Sequence, residues 1–180
     1  MERAEAVSET LAKVLTGMGS PRILVIGDMI LDRYVWGEAS RISQEAPIPI
    51  LNVRQKEWRP GGAGNVVNAL SHLGAQVTAC GVVGGDDDGH LLARCVQELS
   101  GNRSCIVVDP QRPTTVKTRF VGYVQSARRA PHHVLRVDEE VTTPVAGEIE
   151  REMLDFLANV VGDQDCVICE DYEKGVLTEA

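Results

Sequence analysis

The chain has 180 residues, 43% of them hydrophobic and 24% charged, which is the size and balance of one water-soluble globular domain. Its formal net charge of −8 argues against nucleic acid as a partner, because proteins that bind nucleic acid usually carry a basic surface. The longest apolar run is too short to cross a bilayer, no secretory signal is visible and the five cysteines are odd in number, so we expect a cytoplasmic protein with reduced thiols and no membrane partner.

The first predicted elements are a helix, a buried strand and an exposed sheet. Apolar residues at helical spacing predict a lead-in helix over residues 1–20. The continuous apolar run at 23–26 predicts a strand buried on both faces. Residues 32–58 lack a helical period and contain prolines, which belong on edge strands, so this segment predicts small exposed strands.

The rest of the chain, within one domain over 21–180, alternates strands with helices. A second exposed segment, 114–138, resembles 32–58 in character, and the two are predicted to pair into a lid over the strand ends. Such alternation predicts the α/β class with a doubly wound, mostly parallel sheet. The remaining elements are a helix opened by the glycines at 61–64, a strand over 76–83, a helix starting at 86, a strand over 104–108, a helix over 145–161 and a strand over 167–169.

Two motifs near the first strand are candidates for binding hydroxyl groups. Asp32 follows that strand and can accept hydrogen bonds from sugar hydroxyls, although aspartate also commonly caps turns. Gly61 and Gly62 let backbone approach a ligand, and free N–H groups at a helix start attract anions or hydroxyls. Asn65 adds an amide there. The plainer alternative is a tight turn, and neither the P-loop nor the dinucleotide-binding pattern is present.

Two further motifs place cations near strand ends. Lys117 and Arg119 share one face of an alternating strand and could hold a phosphate, or could protect an edge strand. Asp171 and Lys174 follow the last strand. They could form a ligand site there, or they could belong to an ordinary surface turn.

The C-x-x-C pair Cys166 and Cys169 has the spacing of redox and zinc sites. It lies in an apolar strand and is better explained by core packing. No metal site is predicted.

Taken in this order, the motifs resemble those of a known enzyme family. The most specific stretch is Ser-Arg-Ile-Ser-Gln-Glu-Ala-Pro-Ile-Pro at 40–49, and the chain is similar here to the D-glycero-D-manno-heptose 7-phosphate kinases. These form the kinase half of the bifunctional heptose kinase/adenylyltransferase and belong to the ribokinase/phosphofructokinase-B superfamily. The other matching segments are 27–34, 36–37, 59–66, 115–119, 135–138 and 171–175.

The resemblance implies a ribokinase-like fold with a small β lid. It also implies transfer of a phosphoryl group from ATP–Mg²⁺ to the C1 hydroxyl of heptose 7-phosphate, a step towards ADP-heptose and the lipopolysaccharide core. Lid strands of this family often form a homodimer contact. By motif, Asp32, Gly61, Gly62 and Asn65 would bind sugar hydroxyls, Lys117, Arg119 and Lys174 would lie near the sugar or its phosphate, and Asp171 near the sugar or the transferring group.

The resemblance places the general-base aspartate, within a Gly-Ala-Gly-Asp motif, beyond residue 180 together with most of the adenine site. No catalytic residue is therefore predicted in the chain, which we expect to be the N-terminal part of a kinase that needs a missing C-terminal half. The alternative is a non-catalytic remnant that binds sugar phosphate or dimerises. A sugar kinase for another substrate is disfavoured by the 40–49 stretch, and an oxidoreductase by the Gly-Asp that follows the first strand.

Overall fold

A computed structural model describes residues 11, 13, 14, 17, 19–101, 103–123 and 131–178. Residues 11, 13, 14 and 17 are helical, residues 19 and 20 are not, and the other residues of the predicted lead-in helix lie outside the described ones. The described elements are β1 (Arg22–Gly27), β2 (Met29–Ile42), β3 (Pro49–Gly62), α1 (Ala63–His72), β4 (Gln76–Gly84), α2 (Asp87–Leu99), β5 (Ser104–Asp109), β6 (Thr115–Tyr123), β7 (His132–Glu139), α3 (Gly147–Val160) with a 3₁₀ turn (Val161–Asp163), and β8 (Cys166–Glu170).

The main sheet has four parallel strands in the order β5-β4-β1-β8. Leu24 and Val25 of the central strand β1 are fully buried, because helices cover both faces of the sheet and each face therefore needs apolar side chains. Helices α1 and α2 pack on one face and α3 on the other. The predicted α/β class with a mostly parallel, doubly wound sheet is confirmed.

Helix α2 begins where the acidic run predicted a helix start. The Asp86 side chain caps it, accepting from the N–H of Gly89 at 2.8 Å. The same carboxylate accepts from the N–H and the hydroxyl of Thr114, at 2.8 and 2.6 Å. Burial alone would raise the pKa of Asp86, but these hydrogen bonds lower it below its ordinary value. One cap therefore fixes both the helix start and the entry to β6.

A second four-stranded sheet, here called the lid, has the order β3-β2-β6-β7. Its central strands β2 and β6 come from the two distant exposed segments and pair in parallel, with β3 and β7 antiparallel at the edges. Strand β2 starts two residues after β1 ends, and Met29–Leu31 are buried in the core of the main sheet. Asp32 therefore lies on strand β2 and not in a loop between elements.

Strand alternation gives the lid two chemically different faces. The site face carries Asp32 and Tyr34, directly opposite Lys117 and Arg119 of β6. The apolar face carries Val35 and its neighbours, among them Phe120 of β6 and Leu135 of β7.

Strand β8 differs from its prediction as a buried strand. Cys166 and Cys169 are exposed free thiols, and Val167 is 42% exposed. Within the described part of the chain β8 pairs only with β1, and α3 packs mainly on β4 and β5. An apolar run predicts a strand, but the burial of that strand depends on what covers it. Among the described helices, none is long and apolar enough to cross a bilayer.

Candidate functional site

An ion pair between neighbouring strands forms the centre of the candidate site. Arg119 Nη1 donates to Asp32 Oδ1 at 2.6 Å, and the two side chains are 20% and 23% exposed. The Arg119 guanidinium also lies over the Tyr34 ring, 5.2 Å from its centroid. Burial acts to lower the pKa of Arg119, but the hydrogen bond and the charge of Asp32 raise it above its ordinary value. The ion pair therefore holds both side chains in place.

The two glycines let the chain pass close to this carboxylate. A Cβ on Gly61 would stand 2.7 Å from Asp32 Oδ2, closer than real contacts allow. Gly62 has a φ of +54°, which favours glycine, and a Cβ there would collide with the carbonyl oxygen of Asp28. That oxygen accepts the N–H of the first α1 residue at 3.0 Å. The glycines thus end β3 rather than form a separate turn, and Asn65 lies exposed on the first turn of α1.

A carboxylate that follows β7 joins the two predicted lysines. Glu140 Oε2 lies 3.2 Å from Lys117 Nζ, and Oε1 lies 3.1 Å from Lys174 Nζ. Lys117 Nζ is also 3.3 Å from Asp138 Oδ2. Burial acts to raise the pKa of Glu140, but the two lysines lower it below its ordinary value. Because Lys117 belongs to the lid and Lys174 to the loop after β8, Glu140 connects the lid to the main sheet.

Asp28, which is 1% exposed, holds the loop after β8. Its Oδ2 accepts the N–H groups of Tyr172 and Lys174 at 2.6 and 3.2 Å. Arg112 binds the same region, because its guanidinium donates to the carbonyl oxygens of Lys174 and Thr143 at 3.1 and 2.7 Å. The backbone at Lys174 is therefore held by hydrogen bonds between distant segments.

Asp171 does not join this cluster. Its side chain accepts the N–H of Glu173 at 2.8 Å, inside its own turn, rather than contacting Asp32 or the lysines. It faces an open cleft of about 530 Å³ that is also lined by Thr142, Pro144, Glu173, Gly175, Leu177 and Thr178.

The structure thus brings Asp32, Gly61, Lys117, Arg119 and Lys174 into one connected network. It adds residues that the sequence analysis did not select. Asp28 had a visible signal, since it directly follows the first strand. Glu140 had a weaker one, as the end of an acidic run, and Arg112 had none.

A divalent metal is not accommodated by these residues. Over the part of the chain that the structure describes, no three His, Cys, Asp or Glu side chains lie together in a way that could hold a metal ion. The carboxylates of the network are instead paired with lysine and arginine. The chemistry that these residues can perform is to accept hydrogen bonds from hydroxyls at Asp32 and to neutralise an anion.

The main sheet is parallel, and a β lid with acidic and basic side chains lies at the carboxyl ends of its strands. This is the arrangement of the sugar kinases of ribokinase-like fold. Two solved structures share the fold: the phosphofructokinase-2 of Escherichia coli in complex with fructose-6-phosphate, and a carbohydrate kinase of Agrobacterium tumefaciens. The first has a TM-score of 0.58 and 17% identity, covering 83% of this chain and 45% of that one. The second has a TM-score of 0.56 and 18% identity, with 83% and 45% covered.

The chain belongs to the pfkB family of carbohydrate kinases, whose sequence pattern matches residues 20–129. It is 42% identical over 161 residues to the bifunctional protein HldE of Citrifermentans bemidjiense, covering 89% of this chain and 32% of that protein. It is 44% identical over 160 residues to the bifunctional protein HldE of Helicobacter hepaticus, with 89% and 32% covered. The chain therefore spans about a third of the length of the curated relatives it matches.

Proposed function

We propose that the chain forms the sugar-binding part of an ATP-dependent kinase that phosphorylates D-glycero-D-manno-heptose 7-phosphate at C1. Membership of the pfkB family supports a carbohydrate as the acceptor. The 40–49 stretch and the identity of 42–44% to the HldE proteins favour the heptose branch.

The observation that carries this proposal is the fixed carboxylate of Asp32. Arg119 binds the Oδ1 oxygen of this carboxylate. Gly61 lies beside the Oδ2 oxygen and has no side chain that could cover it. A charged oxygen held in this way accepts a sugar hydroxyl without first being reoriented, and such pre-organisation lowers the cost of binding. In this proposal Asn65, Gly62 and the two lysines complete the hydroxyl contacts, and Asp171 stays a candidate for the transferring group.

The proposed reaction moves a phosphoryl group from ATP to an alcohol. The C1 hydroxyl oxygen forms a bond to the γ-phosphorus, the bond to the ADP oxygen breaks, and a general base takes the hydroxyl proton. Positioning and charge stabilisation dominate such transfers. The described residues position the acceptor, and the family resemblance assigns the base, the Mg²⁺ ion and most of the nucleotide contacts to other parts of the kinase.

The test is calorimetric titration of heptose 7-phosphate into the wild-type chain and into Asp32→Asn. Loss of a charged acceptor to a bound hydroxyl should weaken binding by roughly 10- to 100-fold. Asp155→Asn, an exposed aspartate on α3, is the matched control and should bind like the wild type. A wild-type chain that does not bind this sugar, or an Asp32→Asn variant that binds it equally well, contradicts the proposal.

A turnover assay with ATP on the same samples separates two forms of the proposal. Sugar binding without turnover supports a binding part that needs the rest of the kinase, and also fits the remnant without catalysis. Turnover shows that the base and the nucleotide site are supplied as well, and it excludes the remnant.

We also propose a homodimer through the apolar face of the lid. Leu135, Val137 and Trp58 are 56%, 40% and 43% exposed and lie on this one face, and apolar side chains grouped on one face mark an interaction surface. They belong to the same face as a shallow cleft of about 590 Å³ lined in part by Val35 and Phe120. A second copy would remove this surface from water while leaving the opposite, site face of each lid open.

A further inference from the structure

The register of the lid places the charges of its site face in two neighbouring rows. In the first row the signs alternate across the four strands, and in the second two cations stand side by side. From β3 to β7, the first row is Arg59, Asp32, Lys117 and Asp138, and the second is Glu57, Tyr34, Arg119 and Arg136.

The adjacent pair Arg119 and Arg136 is unfavourable in the absence of an anion, because like charges directly opposite on neighbouring strands repel. Neighbouring carboxylates compensate the pair only in part. Arg119 uses Nη1 for Asp32, and its Nε and Nη2 groups bond to none of the described residues. Arg136 is 58% exposed and contacts Asp138 through Nε at 2.9 Å, so the outer part of each guanidinium keeps free donors.

The lysines, in contrast, are already neutralised. Lys117 contacts two carboxylates and Lys174 contacts one, and their side chains are only 17% and 12% exposed. A ligand anion that displaced Glu140 from them would expel a carboxylate whose pKa is already lowered by those contacts. An anion therefore gains more at the arginine pair than at the lysines.

We propose that Arg119 and Arg136 form an anion subsite that holds the phosphate of the acceptor sugar, with its hydroxyls at Asp32. This inference rests on the proposed function and specifies how the sugar lies, with its phosphate towards β7. Guanidinium groups suit this role because they bind phosphate oxygens in pairs. The Arg119 guanidinium is also in contact with the Tyr34 ring, 5.2 Å from its centroid. The site then selects sugars that carry an anionic group away from the hydroxyl bound by Asp32.

The experiment compares calorimetric titrations of heptose 7-phosphate and of the unphosphorylated heptose. Arg136→Gln should weaken binding of the phosphorylated sugar by roughly 10- to 100-fold, the usual effect of losing a charged hydrogen bond. It should leave the unphosphorylated sugar within about twofold. Arg136→Lys, which keeps the charge but not the paired geometry, should fall between the two. Arg54→Gln is the matched control, because Arg54 is another lid arginine, 62% exposed and paired with Glu38.

Three outcomes would overturn the subsite while leaving the proposed function intact. The first is a wild-type chain that binds both sugars equally well. The second is an Arg136→Gln variant that weakens both sugars equally or neither. The third is loss of the phosphate preference in Lys117→Gln but not in Arg136→Gln, which would place the phosphate at the lysines.

Inorganic phosphate tests the subsite independently of the sugar. If the wild-type chain binds neither sugar, the proposed function fails. The anion subsite is then still supported if phosphate raises the Tm of the wild type and of Arg54→Gln but not the Tm of Arg136→Gln. An equal rise in all three proteins, or none, overturns it.

Discussion

The Asp32 carboxylate and Gly61 lie in such close contact that a Cβ on Gly61 would stand 2.7 Å from Asp32 Oδ2. The Gly61→Ala variant must therefore displace this oxygen or the strand that carries it. We expect affinity for the sugar phosphate, measured by calorimetry, to fall by about tenfold or more, since a misplaced acceptor loses much of its hydrogen bond.

The control for this prediction is Gly147→Ala at the start of α3, where an added Cβ meets nothing within 4 Å. This variant should bind the sugar phosphate with unchanged affinity. Equal affinities of Gly61→Ala and Gly147→Ala would show that the oxygen near Gly61 does not contact the ligand.

Glu140 predicts a specific dependence of stability on pH. Its pKa in the folded protein is lowered below the ordinary 4.5, so its contribution to stability is present above that value and is lost as pH falls through the lowered pKa. At pH 7 we expect Glu140→Gln to reduce the free energy of unfolding by about 1 kcal/mol, as for a partly exposed ion pair. Urea denaturation should show this difference shrinking as pH falls below 4.5.

The neighbouring Glu139→Gln provides the matched control, since Glu139 is exposed on β7 and makes no ion pair with the described residues. It should show neither the loss at pH 7 nor the pH dependence. A Glu140→Gln variant as stable as the wild type at pH 7 would mean that the contacts with Lys117 and Lys174 do not hold the lid to the main sheet in solution.

Asp28 should matter more for stability than any other residue of the network. Asp28→Ala leaves the N–H groups of Tyr172 and Lys174 without their acceptor in a half-buried loop. We expect a loss of about 2–4 kcal/mol in the free energy of unfolding, because two N–H groups each lose their hydrogen bond. Hydrogen exchange should accelerate at residues 171–175.

Asp155→Ala on α3 is a control with an exposed side chain and should change neither quantity. Unchanged exchange at 171–175 in Asp28→Ala would contradict the assignment of Asp28 as the anchor of this loop.

Local patterns in the sequence predicted the elements and several shared faces, but not the contacts between distant segments. Alternation along β6 was enough to place Lys117 and Arg119 on one face, because that relationship spans two residues. The role of Asp28 depends on residues 144 and 146 positions away. The partner of Arg119, Asp32, lies 87 positions away, and no spacing rule relates such residues.

Where the structure differs from what local sequence patterns suggest, the differences have the same physical origin. Strand β8 was expected to be buried because its residues are apolar, yet its exposure depends on which elements lie beside and above it. Asp171 and Lys174 are close in sequence and were treated as one site. Between them lies a turn in which Glu173 has a φ of +59°, so the two side chains point to different places. Lys174 contacts Glu140, whereas Asp171 accepts a hydrogen bond within the turn.

The proposed homodimer predicts that one charge on the apolar face of the lid will separate the subunits. Val137→Lys places an ammonium group on the β7 side of that face, where burying it against a second copy is strongly unfavourable. Sedimentation velocity should show the wild type as a dimer and Val137→Lys with a dissociation constant raised by at least about tenfold. Val161→Lys makes the same change at a similarly exposed valine outside the lid, 47% against 40% exposed, and should remain dimeric. Two results would contradict this dimer. One is a wild-type chain that is monomeric at about 100 μM, a concentration well above the dissociation constant of a stable dimer. The other is a Val161→Lys variant that dissociates as readily as Val137→Lys, which would place the contact elsewhere.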